Sequence, residues 1–374
     1  MVGNDVLVVG AIVTHALWLY CVKRLLLIFP TLLGILIVAF TIIQFLPGGP
    51  VEKMLQDVGS EESRLWGIGL SANYTGQPAG VYRGRLGVDQ QQIDELKALY
   101  GFDKPTHERF IKMVVGYAHL DFGSSFFWNK TVYQLIVEKL PVSASLGLWS
   151  FLLTYFISIP LGIAKAIRHG SRFDLYTSLA VLIGYSIPGF VLGIVMVIFF
   201  GQGTFFLQLF PLGGLVSDDF AQLSLVAKIL DYFWHLALPL ACLVIGSFAA
   251  LTMLTKNTVL EEIQKQYIQT ARAKGLSETT ILWKHALRNA LIPILTGFPL
   301  AFLSAFFTGS LVIETLFSLD GLGLLSFEAL MKRDYPVVMG ILFLFSFLLL
   351  LAKLINDLLY VALDPRIRLD TRSG

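Results

Sequence analysis

The 374-residue chain is 55% hydrophobic and only 14% charged, with a mean hydropathy of +0.71. Soluble globular domains carry about 25% charged residues, so an ordinary soluble domain is excluded and an all-α polytopic membrane protein is expected. The net charge of +2 says little by itself and no nucleic-acid partner is expected; the two cysteines, Cys21 and Cys242, both lie in apolar segments, which argues against a disulfide framework or a Cys-based metal site.

In chain order, Asp5 to Val22 is apolar but short, and Lys23-Arg24 leads from it straight into a second apolar run with no turn signal. A secretory signal carries its positive residues before the apolar stretch, not after it. Residues 1–22 read as an N-terminal extension or, alternatively, as a helix on the membrane surface. Six runs have the length needed to cross a bilayer core of about 30 Å: Leu25 to Leu46, Pro141 to Ile163, Leu175 to Phe200, Leu236 to Leu254, Leu291 to Ile313, and Val337 to Tyr360. The organisation expected is a first transmembrane helix within 23–46, a large outer loop 47–139, a five-span core 140–360 with a charged loop at 255–290, and a tail at 361–374.

The outer loop opens on seven glycines between Gly59 and Gly87, which read as an irregular linker. Asp89 caps an expected helix through DQQQIDELKALY. A second helix follows Pro105, with Phe110, Met113, Val114 and Tyr117 on one face. Within the spans, Ser143, Gly147, Ser150 and Thr154 recur at helical spacing and predict a close helix–helix contact. Gly184, Pro188, Gly189 and Gly193 weaken the third span, and Gly297 and Pro299 the fifth; such breaks mark kinks or a water-filled path. Lys353 and Asp357 are spaced to pair on one helix face.

Counting Lys and Arg over the short loops orients the chain. One side carries 14: Lys23, Arg24, Lys165, Arg168, Arg172, Lys256, Lys265, Arg272, Lys274, Lys284, Arg288, Arg366, Arg368 and Arg372. The other carries Lys228, Lys332 and Arg333. Both termini and the 255–290 loop are therefore expected in the cytoplasm.

Catalytic signatures are sparse. The chain lacks G-x-x-x-x-G-K-[ST], so it holds no phosphate cradle of that type. It also lacks G-x-S-x-G, and its six histidines show no metal-ligand spacing. One enzyme-like pattern occurs, His169-x-x-x-x-Asp174, the spacing of membrane acyltransferases in which the Asp orients a basic His. Against it stands the plainer reading of a short basic turn ending in a helix-starting Asp. No catalytic residue, cofactor or metal ligand is assigned.

The charged loop is the most distinctive segment. Lys256 to Lys274 predicts a helix, Gly275 suits the left-handed position past its end, and Ser277 caps a second helix running towards Asn289. The unit is a two-helix knuckle with small residues Ala271, Ala273 and Gly275 at its bend. It suits either insertion into a cleft of a soluble partner or a seat on membrane lipid.

YIQTARAKG followed by HALRNALIP resembles the coupling loop of ATP-binding-cassette importer permeases, in the dipeptide/oligopeptide branch that depends on binding proteins. KRLLLIFPTLLG, FLPGGPVE, YGFDKPTHERF, DFGSSF, LPVSASLGL, FTGSLVIETLFSLDGLGLL, RDYPVVMG and NDLLYVALDPRI extend the resemblance over roughly residues 23 to 368. The Gly-rich insertion and YRGRLGVD are most similar to the Yej-type branch, associated with peptides and microcin C. The resemblance implies a type I importer permease fold of six helices. It also implies a role in importing di- or oligopeptides across the bacterial inner membrane, driven by separate ATP-binding subunits. Further implied partners are a second related permease subunit and a periplasmic peptide-binding protein. By resemblance, the ATPase-coupling residues are Tyr267, Gln269, Thr270, Ala271, Ala273, Lys274 and Gly275. Two departures stand out: the wider signature opens Glu-Ala-Ala where this chain has Gln269-Thr270-Ala271, and the step from Gly275 to Pro293 is longer. Glu314 and Asp320 are candidates near the path or its outer mouth. The rival readings are a membrane acyltransferase built on His169 and Asp174 and a stand-alone secondary transporter, the latter poorly served by spans with few midplane ionisable groups.

Overall fold

The computed structural model describes residues 2–45, 103–203, 206–307 and 311–363. The glycine-rich linker, the helix expected after Asp89 and the basic tail at Arg366–Arg372 lie outside the described residues. Helix α1 (Val2–Phe45) runs unbroken through Lys23-Arg24, so the expected boundary at residue 22 is not a structural joint. The other helices among the described residues are α2 (Thr106–Ala118), α3 (Val132–Ile167), α4 (Arg172–Ser186), α5 (Gly189–Phe200), α6 (Leu225–Ile263), α7 (Gln266–Ala273), α8 (Glu278–Ala290), α9 (Ile292–Phe307), α10 (Leu311–Leu316), α11 (Leu322–Lys332) and α12 (Tyr335–Leu363).

Among the described residues, four stretches are long and apolar enough to cross a membrane: Val22–Phe45 of α1, α3, α6, and Tyr335–Leu359 of α12. Two bent pairs, α4 with α5 and α8 with the first part of α9, bring the number to six if each is one span. The α4–α5 bend is 89°. Ile187 is extended (φ −89°, ψ 117°), as the residue before a proline prefers, and Pro188 starts the new helix without an N–H to offer the old one. The 48° bend in the second pair falls at Leu291. Gly297 and Pro299, expected to weaken this span, lie inside an uninterrupted α9.

The chain forms two compact units. The first comprises Met1–Phe29, Lys139–Leu325 and Phe345–Gly374. One of its apolar clusters holds Leu146, Leu236, Leu238, Leu240, Cys242, Ile313, Phe317 and Leu319. The small-residue stripe of α3 turns inward: Ser143, Gly147 and Thr154 are buried, while half-buried Ser150 bonds to its own helix at Gly147 O. The stripe continues through Ser158, which donates to Phe248 O of α6 at 3.0 Å, to Gly162. A Cβ on Gly162 would stand 2.6 Å from Thr255 Cβ and 2.8 Å from Thr252 O, so α3 and α6 are in backbone contact there. Asp357 does not pair with Lys353. It accepts from Tyr20 Oη at 3.0 Å and meets Arg24 at 3.3 Å, a partner that sequence spacing along one helix could not offer.

The second unit comprises Pro30–Glu138 and Ser326–Leu344. The apolar face of α2 is anchored by buried Tyr117, packed on Phe122 and Phe343, and by Phe110 edge-on to Phe40. Fully buried Asp334 accepts from Ser125 Oγ and from Phe126 N at 3.1 Å.

Candidate functional site

The knuckle between α6 and α9 is built from short-range signals and two tertiary clusters. The expected single helix from Lys256 to Lys274 is not formed. Instead α6 ends at Ile263, Gln264 and Lys265 turn the chain, and α7 restarts at Gln266. No Gly or Pro marks this break; Lys265, extended at ψ 150°, supplies it. The end of α7 follows expectation. Gly275 adopts φ +80°, its N–H bonds to Arg272 O at 2.9 Å, and Leu276 N reaches Ala271 O at 3.3 Å. This is the paired C-terminal cap that a left-handed glycine permits. Ser277 Oγ then accepts from Thr280 N at 3.3 Å and opens α8, whose middle, Ile281–Ala286, widens into a π turn.

Ile268, Ala271, Ile281 and Ala286 close a small core within the knuckle. Burying Ile268 and Ile281 alone stabilises the bend by about 3 kcal/mol or more. Ala271 is therefore inside the knuckle, 8% exposed, and not on the surface expected for a dock. Gln269, Thr270, Ala273, Lys274 and Gly275 are exposed and together form one end of the unit. A second cluster, Ala166, Val259, Leu287 and Ala290, seats α8 against the ends of α3 and α6.

Tyr267 shows both sides of this arrangement. Its ring is 39% exposed, but its hydroxyl points inward, donating towards Glu262 Oε1 at 2.5 Å and His285 O at 3.2 Å and accepting from Asn289 Nδ2 at 3.0 Å. Partial burial, followed by the hydrogen bond to the Glu262 carboxylate, pushes the Tyr267 hydroxyl up to about 12. Buried Glu262 also accepts from Asn289 Nδ2 at 3.2 Å and from Lys265 Nζ at 2.5 Å. Sequence reasoning missed Glu262 and Asn289, 27 positions apart and each ordinary in its own helix. On the surface, Arg272 and Glu278 form a two-point ion pair at 2.6 and 3.0 Å, which water and salt screen.

His169 and Asp174 come within 3.3 Å of one another, as the acyltransferase pattern requires. The carboxylate is, however, already held by two ammonium groups. Lys256 Nζ lies 2.8 Å from both oxygens, and fully buried Lys165 Nζ lies 3.2 Å from Oδ1. Gly170 N adds a further bond at 3.2 Å. Two adjacent cations oppose the imidazolium that a histidine base must become. Lys165 also donates to Thr177 Oγ1 and Ser178 Oγ, so the cluster is a packed joint of α3, α4 and α6. Glu314 is likewise buried, accepting from Ser143 Oγ at 3.0 Å and Leu324 N at 2.8 Å. Asp320 is exposed and pairs with Lys139.

Four apolar crossings, or six if each bent pair is one, and an ordered, polar-stapled knuckle joining α6 to α9 define a multi-pass membrane protein of the permease class. The chain belongs to the family described as "Binding-protein-dependent transport system inner membrane component", whose model matches residues 158–369, and it is a permease subunit with the type I ABC importer fold. It is 50% identical over 360 residues to the "Peptidoglycan transport system permease protein YejB" of Agrobacterium fabrum, covering 94% of this chain and 99% of that one. It is 49% identical over 362 residues to the "Inner membrane ABC transporter permease protein YejB" of Escherichia coli O157:H7, with the same coverage. The "Oligopeptide transport system permease protein AppB" of Bacillus subtilis is 34% identical over 93% of this chain and 98% of its own length.

Proposed function

We propose that this permease subunit imports peptides or peptide-like compounds across the bacterial inner membrane, with both termini and the knuckle in the cytoplasm. Separate ATP-binding subunits drive it. It pairs with a second, related permease subunit and receives substrate from a periplasmic binding protein. Support for the substrate class comes from relatives named as oligopeptide and dipeptide transport permeases, and support for orientation from the concentration of Lys and Arg on one side.

The observation that carries the coupling role is the exposed end of the knuckle. Gln269, Thr270, Ala273, Lys274 and Gly275 project from a bend that has its own core, so a partner can push on it without unfolding it. Docking of this end in a groove of the ATPase converts nucleotide-driven closure into rearrangement of the spans. The test is co-purification of the complex carrying Gly275→Arg. The bulky side chain at φ +80° should release the ATPase while the permease stays inserted and paired; retained ATPase with normal uptake would overturn the docking site.

A further inference from the structure

We infer that Glu262 is the positioning residue that ties the knuckle to the core of the permease, so that displacement of α7 is delivered to α6 instead of being absorbed at the Gln264–Lys265 turn. The inference rests on the coupling reading above and extends it to residues outside the docking end.

The argument begins from a mechanical weakness. Between α6 and α7 the helical hydrogen-bond ladder is interrupted, and Lys265 has an extended backbone. A push on Gln269–Gly275 would by default bend the chain at that break. The Glu262 carboxylate spans it. From the last turn of α6 it takes the Tyr267 hydroxyl of α7, the Lys265 ammonium in the turn itself and the Asn289 amide of α8. Tyr267 completes the loop by bonding Asn289 and the carbonyl of His285 in the π turn. The Glu262 carboxylate itself is 6% exposed, while its donors Tyr267, Lys265 and Asn289 keep one side towards solvent. Because α6 runs from Leu225 to Ile263 as one helix that packs on α3 at Gly162, whatever is fixed to Glu262 is fixed to an element of the core. The apolar contacts of Ile268 with Ile281 and Ala286 hold α7 to α8; the carboxylate adds the directional link from α7 to α6.

The test uses the complete transporter, purified with its ATPase and sister permease and reconstituted in proteoliposomes with its binding protein and a mixed pool of labelled peptides from a protease digest. The readout is peptide taken up per ATP hydrolysed. Tyr267→Phe removes one hydroxyl and leaves the ring. It should keep the ATPase bound but lower uptake per ATP by about tenfold or more, the effect of losing a hydrogen bond to a charged group. Glu262→Ala should lower it further, and Glu262→Gln, which keeps an acceptor oxygen for Tyr267 and Asn289, should recover part of the loss. A merely structural role would reduce the amount of complex while leaving the ratio unchanged, and an unchanged ratio in Tyr267→Phe overturns the inference even if Glu262→Ala fails to assemble. Gly275→Arg, run in parallel, separates the two ideas, since release of the ATPase reports on docking alone.

Discussion

The carboxylate of Glu314 fills the space that a side chain on Gly321 would need. A Cβ built on that glycine would lie 2.6 Å from the carboxyl carbon and 2.7 Å from each oxygen. Ser143 supports the same arrangement, donating to Glu314 and accepting from Leu322 N at 2.8 Å, so that one carboxylate and one hydroxyl cap the start of α11. Gly321→Ala should therefore displace a buried carboxylate from its donors, costing about 2 kcal/mol or more. In detergent this should appear as a fall of about 3 °C in the melting temperature. Gly246→Ala, with nothing within 4 Å of its added carbon, is the control. Equal melting of the two variants would refute the steric account.

The contact of α3 with α6 at Gly162 makes a similar demand on space, this time against backbone. An alanine there must push away Thr252 O and Thr255, because neither end of the contact is a flexible side-chain tip. Overpacking of this kind costs about 1–3 kcal/mol. Thermal denaturation of Gly162→Ala should show the loss, and adding Thr255→Ser, which trims the methyl group nearest the clash, should return part of it.

Asp174 and His169 should separate cleanly by mutation. Asp174→Ala strands Lys165, which is fully buried, and a loss of about 3–5 kcal/mol is expected from breaking a buried ion pair on one side. His169 is 54% exposed on its side chain and can be lost without leaving a buried charge unpaired. His169→Ala should leave peptide uptake within about twofold of wild type, since surface substitutions usually shift stability by no more than about 0.5 kcal/mol. Abolished uptake in His169→Ala, with the protein intact, would reopen the chemical reading of this pair.

Asp334 gives the second unit a pH dependence whose sign is fixed. Burial raises its carboxyl above the usual range, opposed in part by bonds from Ser125 and Phe126. A carboxyl raised on folding contributes stability that is complete below its unfolded value near 3.8 and is lost as pH rises through the folded value. Wild type should therefore lose stability on going up from pH 4, and Asp334→Asn should flatten this part of the melting curve. A steeper dependence in the variant would contradict the assignment.

Much of this could be read in the sequence because lipid imposes simple rules. Apolar runs near 20 residues mark the spans, and the turn at Gly275-x-Ser277 is written in residues that have few other uses. What could not be read depends on groups brought together from distant positions. Asp357 has Lys353 one turn away but pairs with Arg24, more than 330 residues earlier. Ala271 belongs to a sequence signature of exposed small residues, yet it is buried because Ile281 and Ala286 fold over it. The α6–α7 break, supplied by the extended Lys265, is bridged by Glu262 with Asn289, and neither residue's polarity hints at that pairing. Pro188 announced a kink, whereas its 89° size follows from the extended Ile187 before it.

The Gly162 seam lies well off-centre on α6. At 1.5 Å per residue, about 12 Å of helix separates Thr255 from Ile263, while about 45 Å separates it from Leu225. On the long arm Pro239 removes one hydrogen bond from the helical ladder, so the short arm towards the knuckle is the stiffer of the two.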